Sequence, residues 1–395
     1  MKLDTASLVE LEQKYILQTY KRYPIVVDYA QGSRIFDKNG NEYLDFLAGI
    51  AVNLLGHSHP KIIQAVENQI RRYMHLSNYF YQDVQIELAE KILTLSGYSK
   101  IFYTNSGAEA NEGALKIVRR WGNQRNKKTV VAFTGGFHGR TYGALSLMDK
   151  PHYKELMGPF LDGIKILTFN DVDALKSILS HDTAGVFIEF IQGEGGISEA
   201  QEQFVQELWD LKKKYNFLIV ADEVQSGIFR TGKLFAFQHW DVSPDIITIA
   251  KGFGGGLPLG GILVKSELEN IFEKGMHGTT FGGNAVSCAA GIANLNVIYP
   301  DLLDHINSIS DYLDGILQRI KQEFPEKVLE VRGRGLMRGL VLSFEAIRLV
   351  EKLIDERIIT NATAKNVLRL VPPLIISKDD VDLFYIGLKN ALQKV

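Results

Sequence analysis

One lysine and one carboxylate in this chain of 395 residues have the setting that carbonyl chemistry needs. Lys251 ends the apolar, β-branched run of DIITIAKGFGGG and is followed by glycines. Asp222 ends a second apolar run, in NFLIVADEVQSG. Each pattern predicts a buried strand that delivers a charged side chain at its C-terminal end. Partial burial would lower the pKa of the lysine, so that its amine attacks carbonyl groups more readily.

The carboxylate supplies the second half of the same chemistry. An Asp at a neighbouring strand end could bind a pyridine nitrogen and keep it protonated. A lysine that forms a Schiff base and an acidic partner for the ring nitrogen are what a pyridoxal phosphate enzyme requires. Lys251 and Asp222 therefore predict a pyridoxal phosphate site.

An anion site is predicted where the segment NSGAEAN follows an apolar strand and opens a helix. Ser106, Gly107 and Ala108 are small, so their backbone N–H groups could approach a phosphate at the helix N-terminus. The same residues are typical of ordinary helix capping, and the segment alone does not distinguish the two.

Rings and carboxylate-binding groups follow other strands. In FTGGFHGRTY, Phe137 and His138 could place a ring against a flat cofactor, and Arg140 could bind a carboxylate in a bidentate pair. Arg369 in LRLVPP could bind a second carboxylate, and Glu194 of EFIQGEGG could be a switchable partner for an arginine. A structural or surface role is the alternative for each of these residues when it is read alone.

Three weaker signals lie elsewhere in the chain. The segment HGTTFGGN offers the hydroxyls of Thr279 and Thr280 to a phosphate or a carboxylate, between glycines that let the backbone come close. His57 and His59 have no neighbouring carboxylate or thiol in the sequence, which favours a structural role over a metal site. The aromatic cluster YMHLSNYFY at 73–81 favours core or interface packing over substrate stacking.

A nucleotide-binding protein is the alternative from a different class. LIVADE resembles a Walker B strand, and Gly227, Gly232 and Lys233 have Walker A spacing. However, Leu234 occupies the position where a Ser or Thr should reach Mg²⁺, and no strand directly precedes the glycines. No glycine-rich segment completes the dinucleotide fingerprint either. Nucleotide binding is therefore disfavoured.

Seven short apolar runs, several of them separated by helical patterns, must position these groups. They lie at 101–103, 129–133, 165–169, 184–190, 217–221, 246–250 and 261–264. This arrangement predicts an α/β fold with a mostly parallel seven-stranded sheet covered by helices, in which ligands bind at the C-terminal strand ends. A helix at 6–20, a small antiparallel arm and an irregular loop at 48–60 come first, and an α+β lobe comes last. The predicted domains are an N-terminal segment of the small lobe (1–56), a large domain (57–299) and a C-terminal small domain (300–395).

Composition argues against several other classes. A hydrophobic content of 46% and a charged content of 23% are ordinary for a globular protein. A net charge of −2 gives no reason to expect a nucleic acid or an anionic membrane as partner. The single cysteine, Cys288, excludes an internal disulfide and fits a reducing compartment. With no signal peptide visible and no apolar run near the ~20 residues that span a bilayer, we expect a cytoplasmic protein.

The order and spelling of these motifs resemble the class III aminotransferases of fold type I, which include acetylornithine, ornithine and 4-aminobutyrate aminotransferases. The likeness covers residues 23–392 and is carried by NSGAEANEGALK, GGFHGRT, QGEGG, ADEVQSGIFRTGK, AKGFGGGLPLGG, HGTTFGGN and RLVPP. One departure is Phe190, at a position where the family commonly has Pro.

The resemblance implies pyridoxal 5'-phosphate as cofactor and a role for each motif. Lys251 would be the Schiff-base lysine and the proton-transfer base, Asp222 the partner of the pyridinium nitrogen, and Gln225 a neighbour of the phenolic oxygen. Phe137 would stack on the ring. Thr280 would reach the phosphate of the partner subunit, which implies a homodimer with shared active sites. The other implied cofactor contacts are Ser106, Gly107, Ala108, His138, Glu223 and Val224.

Within the family, the resemblance favours N2-acetyl-L-ornithine as amine donor and 2-oxoglutarate as acceptor, in arginine biosynthesis. Arg140 and Thr279 would bind the donor, Arg369 would bind the 2-oxoglutarate carboxylate, and Glu194 would mask Arg369 while a donor is bound. Ornithine aminotransferases have a Tyr in the loop that matches 48–52, and AGIAV has none. Ornithine, N-succinylornithine, succinyldiaminopimelate and 4-aminobutyrate remain alternative donors.

Overall fold

The computed structural model describes residues 4–395. Its strands are β1 (Val27–Gln31), β2 (Arg34–Asp37), β3 (Glu42–Asp45), β4 (Lys100–Thr104), β5 (Thr129–Phe133), β6 (Ile164–Leu167), β7 (Thr183–Ile188), β8 (Ile191–Gln192), β9 (Ser198–Glu199), β10 (Leu218–Asp222), β11 (Ile246–Ile249), β12 (Gly260–Val264), β13 (Val328–Arg334), β14 (Met337–Leu342), β15 (Ile358–Ile359), β16 (Asn361–Thr363) and β17 (Val367–Leu370). Its helices are α1 (Thr5–Tyr15), α2 (Ala48–Ala51, a single turn), α3 (Pro60–Arg72), α4 (Asp83–Ser96), α5 (Gly107–Asn123), α6 (Tyr142–Ser146), α7 (Pro151–Lys154), α8 (Val172–Ile178), α9 (Glu202–Tyr215), α10 (Ala285–Ile298), α11 (Leu303–Glu323), α12 (Ala346–Asp355) and α13 (Lys378–Gln393).

The central sheet has the strand order β4-β12-β11-β10-β7-β5-β6. β10 lies in its middle and is parallel to both neighbours, β7 and β11. β12 runs antiparallel to β11 and β4. The predicted mostly parallel, seven-stranded sheet is therefore confirmed, with small shifts at the strand ends. Asp222 pairs in register with Thr248, so the ends of β10 and β11 bring Asp222 and Lys251 to the same edge.

Alternation along β10 decides where Asp222 points. Val220 packs into the smaller of two cores, which α5 closes, whereas Ile219 and Ala221 pack into the larger core on the other face. Side chains on a strand alternate between faces, so Asp222 points to the side of Val220, towards α5. Thr248, its partner on β11, points the same way.

Two amphipathic helices cover opposite faces of the sheet. On α5 the buried side includes Ala110, Ala114 and Val118, which belong to the smaller core. On α9 it includes Phe204 and Leu208, which belong to the larger core. Burial of these apolar faces stabilises the sheet by removing hydrocarbon surface from water on both sides.

Strand pairing joins the two ends of the chain. β3 pairs in parallel with β15, which places the N-terminal arm and part of the C-terminal region in one sheet, β1-β2-β3-β15. A second sheet, β13-β14-β17-β16, contacts α11 and α12. The predicted antiparallel arm and C-terminal α+β elements are present. The domain bounds 1–56, 57–299 and 300–395 stay a prediction, and residues 1–3 lie outside the described part of the chain.

Local details differ from the sequence analysis. The first helix ends at Tyr15, before the predicted end at 20. The loop at 48–60 is not wholly irregular, because Ala48, Gly49, Ile50 and Ala51 form a left-handed turn with φ of 49°, 63°, 66° and 61°.

Of the helices within residues 4–395, none alone is long and apolar enough to cross a membrane. α10 and α11 reach that length and composition only together, as a pair bent by 74°.

Candidate active site

A cavity of about 430 Å³ opens where β10 and β11 end, beside the start of α5. Open α/β sheets bind ligands at this position, outside the carboxyl ends of their strands. Most of the predicted site residues line it: Ser106, Gly107, Ala108, Phe137, His138, Arg140, Asp222, Val224, Gln225 and Lys251.

Lys251 begins a 3₁₀ turn directly after β11 and lines the cavity. Its φ of 46° lies in the left-handed region that L-residues other than glycine rarely adopt, so the backbone is strained at this point. Burial lowers the pKa of the amine, and the charge of Arg369 lowers it further, against the opposite effect of Glu194 and Asp222. More of the amine is therefore uncharged at neutral pH than in an exposed lysine, as a nucleophile or a base requires.

Asp222 is 4% exposed and is held by hydrogen bonds on both oxygens. Its Oδ2 accepts from His138 Nδ1 at 2.8 Å and from Asn111 Nδ2 at 2.7 Å, and its Oδ1 accepts from the Val224 N–H at 3.1 Å. Burial alone would lower the pKa of His138, but the hydrogen bond and the charge of Asp222 raise it above its ordinary value. The carboxylate of Asp222 thus stabilises the charged form of the His138 ring.

The His138 ring is buried, lines the cavity and bonds to Asp222, a partner that the sequence analysis did not name. Its predicted place against a flat cofactor stays a prediction. Phe137 also lines the cavity, and its backbone N–H donates to Glu189 Oε2 at 2.8 Å.

Asn111 belongs to the site, and the sequence analysis gave it no role. Its Nδ2 donates to Asp222 Oδ2 and to the His138 carbonyl at 2.8 Å, and its Oδ1 accepts from Thr248 Oγ1 at 2.8 Å. Spacing could have found it, since Gly107 and Asn111 are four apart and therefore lie on one face of α5. The amide joins the helix to both strand ends.

Glu189 is a second group of the cavity without a predicted role. Its Oε1 accepts from the Gly193 N–H at 3.2 Å, in addition to the bond from Phe137. Burial raises its pKa to about 7; the charge of His138 opposes the rise and that of Asp222 adds to it. The motif EFIQGEGG contains two acids, and the sequence analysis gave a role only to Glu194.

At the start of α5, neighbouring backbone segments pack closely together beside the cavity. Ser106 caps the helix, its Oγ accepting from the Glu109 N–H at 3.2 Å. A Cβ on Gly107 would lie 2.7 Å from a Val224 methyl carbon, and one on Gly139 would lie 2.7 Å from the Ala108 Cβ. Only glycine fits at these two positions, so the helix start is packed tightly beside the cavity, with its first N–H groups available to an anion.

Two arginines lie near the cavity in contrasting settings. Arg140 is exposed, and its guanidinium lies 3.5 Å from the centre of the Tyr153 ring. Arg369 is 1% exposed and donates to Asn361 Oδ1 at 3.1 Å, to Gln225 Oε1 at 3.2 Å and to the carboxylate of Glu194. Either guanidinium suits a carboxylate ligand, and Arg369 already has one.

Glu194 forms the ion pair that the prediction required with Arg369. Burial raises the pKa of this carboxyl, but the charge and hydrogen bond of Arg369 outweigh it, and the charges of Lys251 and Lys150 act in the same direction. The net pKa is below its ordinary value, so Glu194 is ionised at neutral pH.

Five predicted residues do not line this cavity: Glu194 and Arg369, which form the ion pair described above, and Glu223, Thr279 and Thr280. Glu223 points away from it, because its carboxylate accepts from Ser226 Oγ at 2.6 Å and from two backbone N–H groups of the following loop. Thr279 Oγ1 accepts from Asn105 Nδ2 at 3.1 Å and so lies beside the helix start. Thr280 is exposed. The structure does not bring Thr280 into the cavity of its own chain.

The surroundings of Phe190 and His57 show structural contacts for both side chains. Phe190 is buried among aromatic rings, with its ring centre 5.4 Å from that of Trp240. The fold gives His57 a carboxylate neighbour that lies twelve positions earlier in the sequence, since its Nε2 lies 2.7 Å from Asp45 Oδ2. Asp45 Oδ1 accepts from the Ala48 N–H at 2.9 Å, so the pair anchors the left-handed turn next to Val52, which lines the cavity.

Comparison with known proteins agrees with this geometry. The class-III aminotransferase family matches residues 15–392. An acetylornithine aminotransferase of Methanocaldococcus jannaschii is 41% identical over 392 residues, covering 98% of this chain and 97% of the relative. One of Caldanaerobacter subterraneus subsp. tengcongensis is 42% identical over 382 residues, covering 95% and 96%.

Solved structures are similar over the same length. The acetylornithine aminotransferase of Elizabethkingia anophelis has a TM-score of 0.89 at 31% identity and covers 100% of both chains. The ornithine aminotransferase of Toxoplasma gondii has a TM-score of 0.94 at 30% identity, covering 99% of this chain and 95% of that one. The fold, a cavity at the strand ends, and a lysine and a buried aspartate that both line it define an aminotransferase architecture. The chain belongs to the class-III aminotransferase family.

Proposed function

We propose that this chain is a pyridoxal phosphate-dependent aminotransferase of arginine biosynthesis. It moves the δ-amino group of N2-acetyl-L-ornithine to 2-oxoglutarate, giving N-acetyl-L-glutamate 5-semialdehyde and L-glutamate. The observation that carries the proposal is the convergence of Lys251 and the hydrogen-bonded Asp222 on one cavity, with an arginine near each side. The acetylornithine aminotransferases of similar sequence support the choice of donor.

The residues of the cavity suit pyridoxal phosphate at each of its functional groups. The tightly packed start of α5 offers N–H groups to the phosphate, where a Cβ at Gly107 would meet Val224. Asp222 suits the ring nitrogen, and the Phe137 ring suits the flat face. When bound, pyridoxal phosphate supplies a ring that accepts electrons from the donor carbon and carries the amino group between two half-reactions.

The chain's own groups would move and hold the protons. Lys251 Nζ, with its pKa lowered by burial and by Arg369, is able to take a proton from the donor carbon and to return it. Asp222 would keep the ring nitrogen protonated, and its charge and hydrogen bond raise the pKa of His138. Asn111 fixes the carboxylate in place, so the electrostatics are arranged before any substrate arrives.

The two arginines support the proposal that two acidic substrates bind in the cavity in turn. Arg140 is exposed at the rim and would bind the α-carboxylate of the donor. Thr279, which lies beside the start of α5, would bind the same donor. Arg369 would bind a carboxylate of 2-oxoglutarate, and Glu194 would mask it while the donor is bound. The loop 48–52 contains no tyrosine, which favours an acylated donor over free ornithine.

A homodimer with shared active sites is part of the proposal. Exposed aromatic side chains support it: Tyr79 is 96% exposed and Tyr81 is 100% exposed, and Phe281 next to Thr280 is also exposed. Asn78 Nδ2 donates to the Thr279 carbonyl at 3.1 Å, which joins this aromatic segment to the loop of Thr280. Burial of both against a second copy would carry Thr280 to the partner's phosphate. Sedimentation of the purified protein tests the dimer.

A donor panel tests the reaction. With 2-oxoglutarate as acceptor, kcat/KM should be highest for N2-acetyl-L-ornithine among that compound, N-succinylornithine, succinyldiaminopimelate, ornithine and 4-aminobutyrate. The purified protein should be yellow, and borohydride should fix the cofactor to it. A higher kcat/KM for free ornithine would overturn the donor assignment, and colourless protein without transfer from any donor would overturn the whole proposal.

A further inference from the structure

A second cavity, of about 370 Å³, lies on the outer side of the Arg369–Glu194 pair. Glu194 lines it, together with Lys150 and Tyr153 from the segment around α7, and Glu345 and Lys365 from the C-terminal region. None of the reactions described above assigns a role to Lys150. The position of Lys150 in the same cavity as Glu194 indicates a role for it.

Glu194 is the member of its ion pair that has room to move. Its side chain is 29% exposed, whereas that of Arg369 is 1% exposed. Arg369 is fixed by further bonds to Asn361 and Gln225. An incoming carboxylate at Arg369 would therefore displace Glu194, and the second cavity is the space next to it.

Within the described part of the chain, Lys150 is a cation of that cavity without a carboxylate partner. It is half-buried, and no carboxylate oxygen within residues 4–395 lies within 4.0 Å of its amine. Lys365, the other lysine of the cavity, differs on both counts, since its side chain is 78% exposed and its Nζ lies 3.2 Å from Glu345 Oε1. Only Lys150 is free to receive another acid.

The backbone fixes Lys150 relative to the active site. The preceding Asp149 accepts from the Gly135 N–H at 3.0 Å, which ties it to the loop that carries Phe137 and Arg140. The Lys150 carbonyl accepts from the Tyr153 N–H, also at 3.0 Å, and the Tyr153 ring lies against Arg140. Lys150 and the donor-binding arginine thus belong to one anchored unit.

We propose that Lys150 is a positioning residue that receives the carboxylate of Glu194 when a carboxylate of the acceptor takes Arg369. This inference rests on the proposed function, in which two acids alternate at the site. A displaced carboxylate without a new partner would raise the cost of acceptor binding, and an ion pair with Lys150 offsets part of that cost. The donor half-reaction leaves Glu194 on Arg369 and does not use Lys150.

The test compares Lys150→Met with Lys365→Met, a matched lysine of the same cavity. The ligand is glutarate, which has the two carboxylates of 2-oxoglutarate but no carbonyl, and its Kd for the holoenzyme is measured by titration. Lys150→Met should raise that Kd roughly fivefold, and Lys365→Met should leave it within about twofold. Lys150→Arg should retain the wild-type Kd, because it keeps the charge. The rate of the donor half-reaction, measured in a single turnover, should not change in any of these variants.

Repeating the titration in Glu194→Gln distinguishes positioning from direct contact. Without a charge at position 194, Lys150→Met should have no further effect on glutarate binding. An unchanged Kd in Lys150→Met alone would overturn the inference, and so would an equal effect in the Glu194→Gln background, because Lys150 would then contact the ligand itself. Failure of the wild-type protein to transfer an amino group from any donor would instead reject the proposed function.

Discussion

The floor and the rim of the active-site cavity are built differently. At the floor, Asp222, His138 and Asn111 are almost completely buried, and hydrogen bonds join the three side chains. At the rim, Arg140 is exposed and Glu194 is only partly covered. Buried hydrogen-bonded networks have few arrangements, whereas partly exposed ion pairs have several of similar free energy.

This difference matches the division of work in a transamination. The cofactor chemistry is the same in both half-reactions, so a single, rigid electrostatic arrangement serves both. The substrates differ, so the groups that bind them must change partners between half-reactions. A change at the floor should therefore impair both half-reactions equally, and a change at the rim should impair one of them.

The largest effect is expected from Lys251→Ala. Loss of the amine removes the proton-transfer base, so kcat should fall roughly 10⁴-fold or more, with both half-reactions affected. Borohydride should no longer fix the cofactor to the protein. Lys265→Ala is the control, because burial also lowers the pKa of that lysine but its amine bonds to the Ser243 carbonyl, outside the cavity. Full turnover in Lys251→Ala would remove the lysine from its assigned role.

Asp222→Ala should have the next largest effect. Without the carboxylate the ring nitrogen loses its proton, and the proton-transfer step should slow about 10²- to 10³-fold, far more than cofactor binding weakens. Stopped-flow absorbance on each half-reaction measures the step directly. Asn111→Ala removes one of the bonds to Asp222 and should slow the same step about tenfold. If Asp222→Ala changed only one half-reaction, the floor would not be the shared part of the site.

The floor and the rim also differ in how far the sequence predicted them. The sheet and the positions of Lys251 and Asp222 were predicted, because buried parallel strands are continuous apolar runs and their ends carry the ligands. The roles of Asn111 and Glu189 were not, because they depend on which side chains face each other across separate elements. Alternation along β10 and the i, i+4 spacing on α5 would together have indicated Asn111.

The predictions for the rim depended on the family resemblance, and part of the rim was not predicted. The ion pair of Glu194 with Arg369 joins residues far apart in the chain, and spacing gives no sign of it. The left-handed turn at 48–51 could not be predicted, because alanine and isoleucine disfavour positive φ. Only the anchoring bonds from Asp45 explain it, and those depend on the folded arrangement.

The most selective effects are expected from the two arginines. Arg369→Met removes charge-assisted bonds to the acceptor, so kcat/KM for 2-oxoglutarate should fall about 10- to 100-fold while the donor half-reaction changes little. Arg140→Met should do the reverse. Arg369 lowers the pKa of Glu194, so Arg369→Met also raises the pKa of that carboxyl. The double variant Arg369→Met, Glu194→Gln removes this side effect and is the control. Equal losses in both half-reactions for either arginine variant would mean that the rim is as rigidly shared as the floor.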